Sequence, residues 1–413
     1  MTQRSITIVG AGQSGLQLGL GLLKNGYNVR IISDRTGEEI RASRVASSQC
    51  MFDKALQFER SVGVDMFDDA PPVEGIGLTV PHPEIPGEKA FSWAGRLDAP
   101  AYAIDQRLKF PILMDLFTQE GGEIVYEEAT IDSLERYTLE DELVIVAAGK
   151  GEIARAFERD AERSTYDAPQ RALALTYVHG MDPVPEFSRV SFNLIPGIGE
   201  YFVFPALTLS GPCDIMVFEG IPGGPMDRFK GLSTEEHFEA SLDVLRTFLP
   251  WEAERCENVT LTDELGVLEG RFPPTVRKAV MTLPSGRTVL GMADVVVLND
   301  PITGQGSNNA SKCAQSYLEA ILDHENLPYD RAFQQQTFER YWTRIKPVAD
   351  WTNALLMPPP PHVLQVLGSA AAYPEIAHRF ANGFNDPVDF GDYFLNPVGA
   401  ERYLEEVALR AAS

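Results

Sequence analysis

From Ser5 to Arg35, SITIVGAGQSGLQLGLGLLKNGYNVRIISDR, an apolar strand leads through a glycine turn into a helix and back into a second strand. Glu142 to Gly151, ELVIVAAGKG, is a continuous apolar run ending in glycine, the pattern of a parallel strand buried on both faces. The stretch leading to it, IDQRLKFPILMDLFTQEGG, reads as a helix with Leu108, Ile112, Leu113 and Leu116 on one face. Between about Arg171 and Thr282 the texture changes to short runs rich in β-branched and aromatic residues, RVSFNLIP, EYFVFPALTLS and CDIMVFEGIP, separated by Gly and Pro. These predict an antiparallel sheet, interrupted by one amphipathic helix over roughly Thr234 to Leu249. Buried-strand texture returns at TVLGMADVVV, followed by a turn and the helix SNNASKCAQSYLEAILDHE. After Tyr329 the pattern is helical, broken at Pro358 to Pro361. The expected fold class is α/β: a doubly wound, Rossmann-like domain with an inserted antiparallel β-sheet domain and C-terminal helices.

A chain of 413 residues exceeds what one core usually organises, so two lobes are expected. Its 35 basic and 59 acidic residues leave a net charge of -24, which repels phosphate backbones and anionic bilayers and argues against nucleic-acid and membrane partners. The four cysteines show no CxxC spacing, the six histidines show neither HxH nor HExxH, and no basic-then-apolar leader precedes the first strand. The expectation is a cytoplasmic protein with no metal site and no membrane span.

Gly10, Gly12 and Gly15 form GxGxxG between strand and helix, the context that gives this motif meaning. The first glycine permits the tight turn, the second lets backbone approach a pyrophosphate, and the third lets helix and strand pack closely. Where the pattern usually supplies an acidic residue for ribose hydroxyls, this chain has Ser33, followed by Asp34. A second stretch, GMADVVVLNDPITGQGSNNA, resembles the flavin-binding segment of the aromatic-hydroxylase class of FAD monooxygenases. There an aspartate meets the ribitol chain, and a Pro-x-x-Gly-Gln-Gly-x-Asn turn opens a helix under the flavin ring. The matching residues are Asp294, Pro301, Gly304, Gln305, Gly306 and Asn308, with Ala293 where that class usually has glycine. Backbone N–H groups at a helix N-terminus favour negative charge on reduced flavin. The cofactor expected is FAD.

No further GxGxxG lies between a strand and a helix; IPGIGEYF and EGIPGGP read as hairpin turns. Lys150 stands where a second, nicotinamide-serving pattern would place an acidic or Ser-containing sequence. One dinucleotide site is therefore visible. The predicted division is residues 1–75, 97–168 and 283–345 for the FAD-binding domain, 76–96 and 169–282 for the substrate-binding sheet, and 346–413 for the C-terminal helical segment.

Through IVGAG, GRLDAPAYAIDQRLKFPILM, LVIVAAGK and DPITGQGSNNA the chain resembles the epoxidase component of styrene and indole monooxygenases, two-component flavoproteins. The resemblance implies delivery of FAD as FADH2 by an NADH-dependent flavin reductase, and O2 as co-substrate. It also implies two arginines near the flavin, here Arg44 and Arg107. The family's substrate-channel fingerprint falls on Ser47, Gln49, Met51, Val73, Ile76 and Ala101 and resembles the indole-preferring set at each place. The alternation of Ser47, Gln49 and Met51 would put all three on one face of an extended segment, with Gln49 or Ser47 accepting the indole N–H. Flavin C4a-hydroperoxide chemistry, as the resemblance implies it, epoxidises indole at the 2,3 double bond, leading to indoxyl and indigo, with no obligatory catalytic side chain. The alternatives are a styrene or other arylalkene epoxidase of the same family, a single-component NAD(P)H-dependent aromatic hydroxylase, and a non-catalytic FAD-binding protein; a homodimer is compatible with each.

Overall fold

The computed structural model describes residues 4–67, 69–148 and 151–412. Lys150 lies outside the described residues.

A six-stranded sheet is built around Ser5–Val9, with Asn28–Ser33 and Glu123–Tyr126 on one side and Leu143–Val146, Thr288–Gly291 and Val280–Thr282 on the other. Ladders within it are parallel except the outermost, Val280–Thr282 with Thr288–Gly291. The central strands are buried on both faces, as the continuous apolar runs require: Ile6, Ile8, Ile145 and Val146 have no exposed surface. Helix Gln13–Lys24 packs on helix Gly306–Asp323. Full burial of one such Leu or Ile side chain contributes about 1.5–3 kcal/mol.

Two sequence expectations in this lobe are corrected. Helix Gln106–Gln119 does not lead directly to Leu143–Val146; the edge strand Glu123–Tyr126 and helix Ile131–Glu140 intervene. Its core stripe is Leu113, Met114 and Phe117, with Phe110 and Leu116 partly buried against the same cluster, whereas Leu108 and Ile112 are half-buried and not part of it. Gly19 and Gly122 set that rotation, because a Cβ on either would lie 2.8 or 2.3 Å from the Phe117 ring.

The second lobe is an eight-stranded sheet running Thr260–Leu261, Ala172–His179, Gly211–Gly220, Gly199–Thr208, Val190–Ile195, Pro72–Pro81 and Lys89–Tyr102, with Val267–Gly270 also on Ala172–His179. It is antiparallel except where Pro72–Pro81 pairs in parallel with Val190–Ile195, a departure from the fully antiparallel expectation. Pro72–Pro81 and Lys89–Tyr102 pair along their lengths and run through the expected limits at 76 and 96. One face, with Tyr201, Val203, Met216 and Phe218, is covered by helices Thr234–Phe248 and Pro250–Ala253. The other, with Leu175, Tyr177, Phe202, Phe204, Ile215 and Val217, meets the C-terminal helices. Trp93 Nε1 donates to the Leu367 carbonyl oxygen at 2.7 Å, and Trp351 stacks on Phe390 with ring centroids 4.3 Å apart. Among the described residues, no helix is long and apolar enough to cross a membrane.

Candidate functional site

Three turns converge at the carboxyl edge of the six-stranded sheet. The glycine turn follows Val9, Ala147 follows Val146, and Met292 follows Gly291; Ala147 N–H donates to the Val9 carbonyl at 2.8 Å and Met292 N–H to the Val146 carbonyl at 2.9 Å. That edge, where strand order reverses, is where open parallel sheets receive ligands. Gly10 has φ +122°, and a Cβ there would lie 2.8 Å from Ala148 N; a Cβ on Gly15 would lie 2.1 Å from the Gly10 carbonyl oxygen. Gly12 faces open space, as do Gly304, left-handed at φ +62°, and Gly306. Packing thus fixes the first and third glycines of the turn, while the second and the two in the later loop leave backbone open to an arriving anionic group. This cradle fits a flavin dinucleotide.

Around it, Ser33 is buried and its hydroxyl donates to the Arg35 carbonyl at 2.6 Å; Asp34 is exposed. Asp294 is exposed after Ala293, which takes φ +51°. Arg44 is exposed and donates to the Val267 carbonyl at 2.8 Å. Arg107 is buried, and its guanidinium is committed within the protein: to both oxygens of Asp263 at 3.0 Å, to Asp105 at 2.8 and 2.9 Å, and to Thr208 and the Ser43 carbonyl at longer range. Burial disfavours the charge of Arg107, but these carboxylates outweigh it and raise its pKa. For Asp263, too, burial is outweighed, and the Arg107 and Leu265 N–H donors hold its carboxyl below the usual range. Arg107 here is a brace between the lobes, with Asp105 as helix N-cap.

Pro301 opens a short turn that Asp300 caps by accepting from Ile302 N–H at 3.1 Å. Gln305 Nε2 donates to the Phe384 carbonyl at 3.0 Å. Asn308 makes the decisive long-range link: its Nδ2 donates to the carbonyls of Cys50 at 2.8 Å and Gly304 at 3.0 Å, and its Oδ1 accepts from Phe52 N–H at 2.8 Å. One buried amide therefore straps the glycine loop to the segment carrying Gln49 and Met51.

That segment is irregular from Val45 to Cys50 and bridges to Tyr102 only at Met51. The extended run expected over Ser47 to Met51 is not formed as a paired strand. Tyr177 donates to the Ser47 carbonyl at 2.8 Å. Gln49 and Met51 line a cavity of about 60 Å³ with Leu56, Val64, Tyr102 and Ile104. Gln49 is buried, and among the described residues neither of its amide atoms has a hydrogen-bond partner. Val73 and Ala101 are directly opposed across strands, and Val73 and Ile76 join one apolar cluster although three residues apart. A register shift between Val73 and Gly75 brings both to the same face.

Sequence reasoning missed the polar floor of this cavity. Lys109 Nζ lies 2.5 Å from Glu59 and 3.2 Å from Met51 Sδ, and Gln13 of the glycine turn donates to the same Glu59 oxygen at 2.6 Å. A lysine inside LKFPIL was the available signal, since that helix has little solvent-facing surface there. Among the described residues, no group of three or more His, Cys, Asp or Glu is arranged to hold a metal.

The comparisons with known proteins agree with this geometry. The chain is 30% identical to "Styrene monooxygenase StyA" of Pseudomonas fluorescens over 416 residues, covering 98% of this chain and 99% of that protein. The protein of the same name from a Pseudomonas sp matches at the same identity and coverage. The chain belongs to the styrene monooxygenase StyA family. Within the StyA-family chain, residues 149–255 match a domain model described as "Styrene monooxygenase A putative substrate binding domain". Solved structures share the fold. A flavoprotein/dehydrogenase from Cytophaga hutchinsonii superposes with TM-score 0.64 at 15% identity, covering 98% of this chain and all of that one. The flavin-dependent brominase Bmp2 gives 0.61 at 14% identity, covering 98% and 93%.

Proposed function

We propose that this StyA-family protein is the oxygenase component of a two-component flavoprotein monooxygenase and that its aromatic substrate is indole, epoxidised at the 2,3 double bond. FAD is the cofactor and dioxygen the co-substrate; FAD arrives reduced, from a separate NADH-dependent flavin reductase. Bound reduced FAD supplies, with dioxygen, the electrophilic oxygen atom. The chain's own residues hold and orient. Gly10, Gly12 and Gly15 admit the pyrophosphate, with Ser33, Asp34 and Arg44 toward the adenosine half. Asp294 and Pro301 to Asn308 address the ribitol and ring. Arg107 keeps the two lobes in register. Ser47, Gln49, Met51, Val73, Ile76 and Ala101 face the substrate, and their largely apolar character excludes water from the reacting oxygen.

The observation that carries this reading is the Asn308 strap, which couples the cofactor loop to the Gln49 segment. The Gln49 amide, without a hydrogen-bond partner among the described residues, suits a bicyclic aromatic with one N–H, because a buried unpaired acceptor costs about 1–3 kcal/mol until a partner arrives. Expression in indole-producing cells with a flavin reductase tests it: blue pigment is expected, and colourless cultures containing folded protein would sink it. Gln49→Val should raise styrene turnover relative to indole in direct competition, and an unchanged ratio removes Gln49 from the specificity set. Styrene epoxidation is the second reading, favoured by the names of the relatives; a wild-type preference for styrene in that competition would establish it.

A further inference from the structure

Along strands Gly199–Thr208 and Gly211–Gly220, Phe202, Phe204, Ile215 and Val217 project onto the sheet face that meets the C-terminal helices. Side chains alternate along a strand, so Glu200 and Glu219 share that face, and the two are directly paired across strands. Both are buried, Glu219 completely. Opposite them stands Asp300, 1% exposed, the residue that caps the turn opening the cofactor loop. Arg171 is spoken for: its Nε and Nη2 donate to Glu200 at 2.6 and 2.9 Å, and its Nη1 to the Gln170 and Leu356 carbonyls.

Three buried carboxyl groups thus face one guanidinium. The carboxyls of Glu219 and Asp300 lie within hydrogen-bonding reach of each other. Among the described residues, no donor from elsewhere reaches either Glu219 oxygen or Asp300 Oδ2. Two ionised carboxylates cannot be held together in a dry site, and only a proton between them satisfies both.

We propose that Glu219 is a positioning residue for the cofactor loop: its carboxyl holds one proton in common with Asp300, and that proton fastens Asp300–Gly306 to the sheet in the conformation that receives reduced FAD. Losing the proton to solvent leaves two facing carboxylates that push the loop from the sheet and place extra negative charge behind a site for an anionic ring. The charged and titratable groups facing the pair are Glu200, Arg171 and Tyr166. Burial, then the neighbouring carboxyls, raises Glu219 well above the usual range, and burial raises Asp300. A carboxyl whose pKa is raised on folding contributes stability that declines as pH rises from the unfolded toward the folded value.

This inference rests on assigning Gly304 to Asn308 to the flavin, so the experiment has an arm without flavin. Infrared spectra of the apoprotein at about pH 8, above the value of about 6 to which burial raises Asp214, should show a protonated carboxylic-acid carbonyl stretch. E219Q should abolish it, because a glutamine N–H donates to Asp300 without titrating; D300N is the second variant should E219Q not fold. Reduced-FAD affinity, measured anaerobically, should weaken in wild type by about tenfold per pH unit above the pair's pKa, and stay within about threefold in E219Q. No band in wild type, or a band unchanged in both variants, overturns the shared proton. Matching pH profiles in wild type and E219Q overturn the positioning role. Failure of wild type to bind reduced FAD at any pH removes the flavin assignment and the positioning role with it, while the band still reports on the proton.

Discussion

The two ends of one sheet face hold two buried ionic clusters that differ in stoichiometry and access to water. At the Thr208 end of strand Gly199–Thr208, Arg107 stands between Asp105 and Asp263, every carboxylate has donors, and Asp263 is 35% exposed. At the Glu200 end, one arginine faces three carboxyls and donates only to Glu200, and all three are nearly sealed from solvent. The first cluster needs no proton and braces; the second must take one up and titrates. The same residue types give a strut or a switch according to how many charges share a site and whether water reaches any of them.

The contrast breaks most sharply at the arginines. Arg107→Ala strands Asp105 without its ionic partner and should cost about 3–5 kcal/mol in urea unfolding at neutral pH. Arg171→Met should cost about 3 kcal/mol near neutrality, with a deficit larger at pH 8 than at pH 6. The sign follows because Glu200, already raised by burial against the pull of Arg171, rises further when the arginine is removed and holds its proton only toward lower pH. An equal deficit at both pH values would reduce the second cluster to another brace.

Smaller effects test the uncharged elements. Asn308→Ala removes three hydrogen bonds, two of them buried, and should cost about 1–3 kcal/mol with no pH dependence, since no titratable group is lost. Ala293→Gly should stabilise by about 1 kcal/mol in thermal unfolding, because Ala293 occupies a left-handed backbone conformation at φ +51°. That strain explains why a glycine is expected there, and destabilisation by the substitution would contradict it.

Much of this was legible in the chain. The glycine turn, the parallel core strands, helix Thr234–Phe248 and the helical segment after Tyr329 each follow from patterns a few residues long. The strand Glu123–Tyr126 escaped notice because its run, EIVY, is only four residues long, too short for a periodicity to stand out. The rotation of helix Gln106–Gln119 was misread in part because Leu108 and Ile112 look as apolar as the true stripe, and the choice was made by glycines in other elements. Val73 and Ile76 occupy one face only through a local register shift, which strict alternation cannot anticipate.

The sequence by itself determined the local backbone: where glycine permits a turn, which runs pair as buried strands, and which residue types stand ready for an anionic cofactor. Tertiary structure alone decided the partnerships. Arg107 became a brace because Asp263 and Thr208 arrive from distant segments, Asn308 reaches Cys50 and Phe52, and Glu219 meets Asp300 instead of water. Propensity and periodicity act over a few residues, whereas the state of a charge depends on all the groups that surround it, and only the folded chain brings those together.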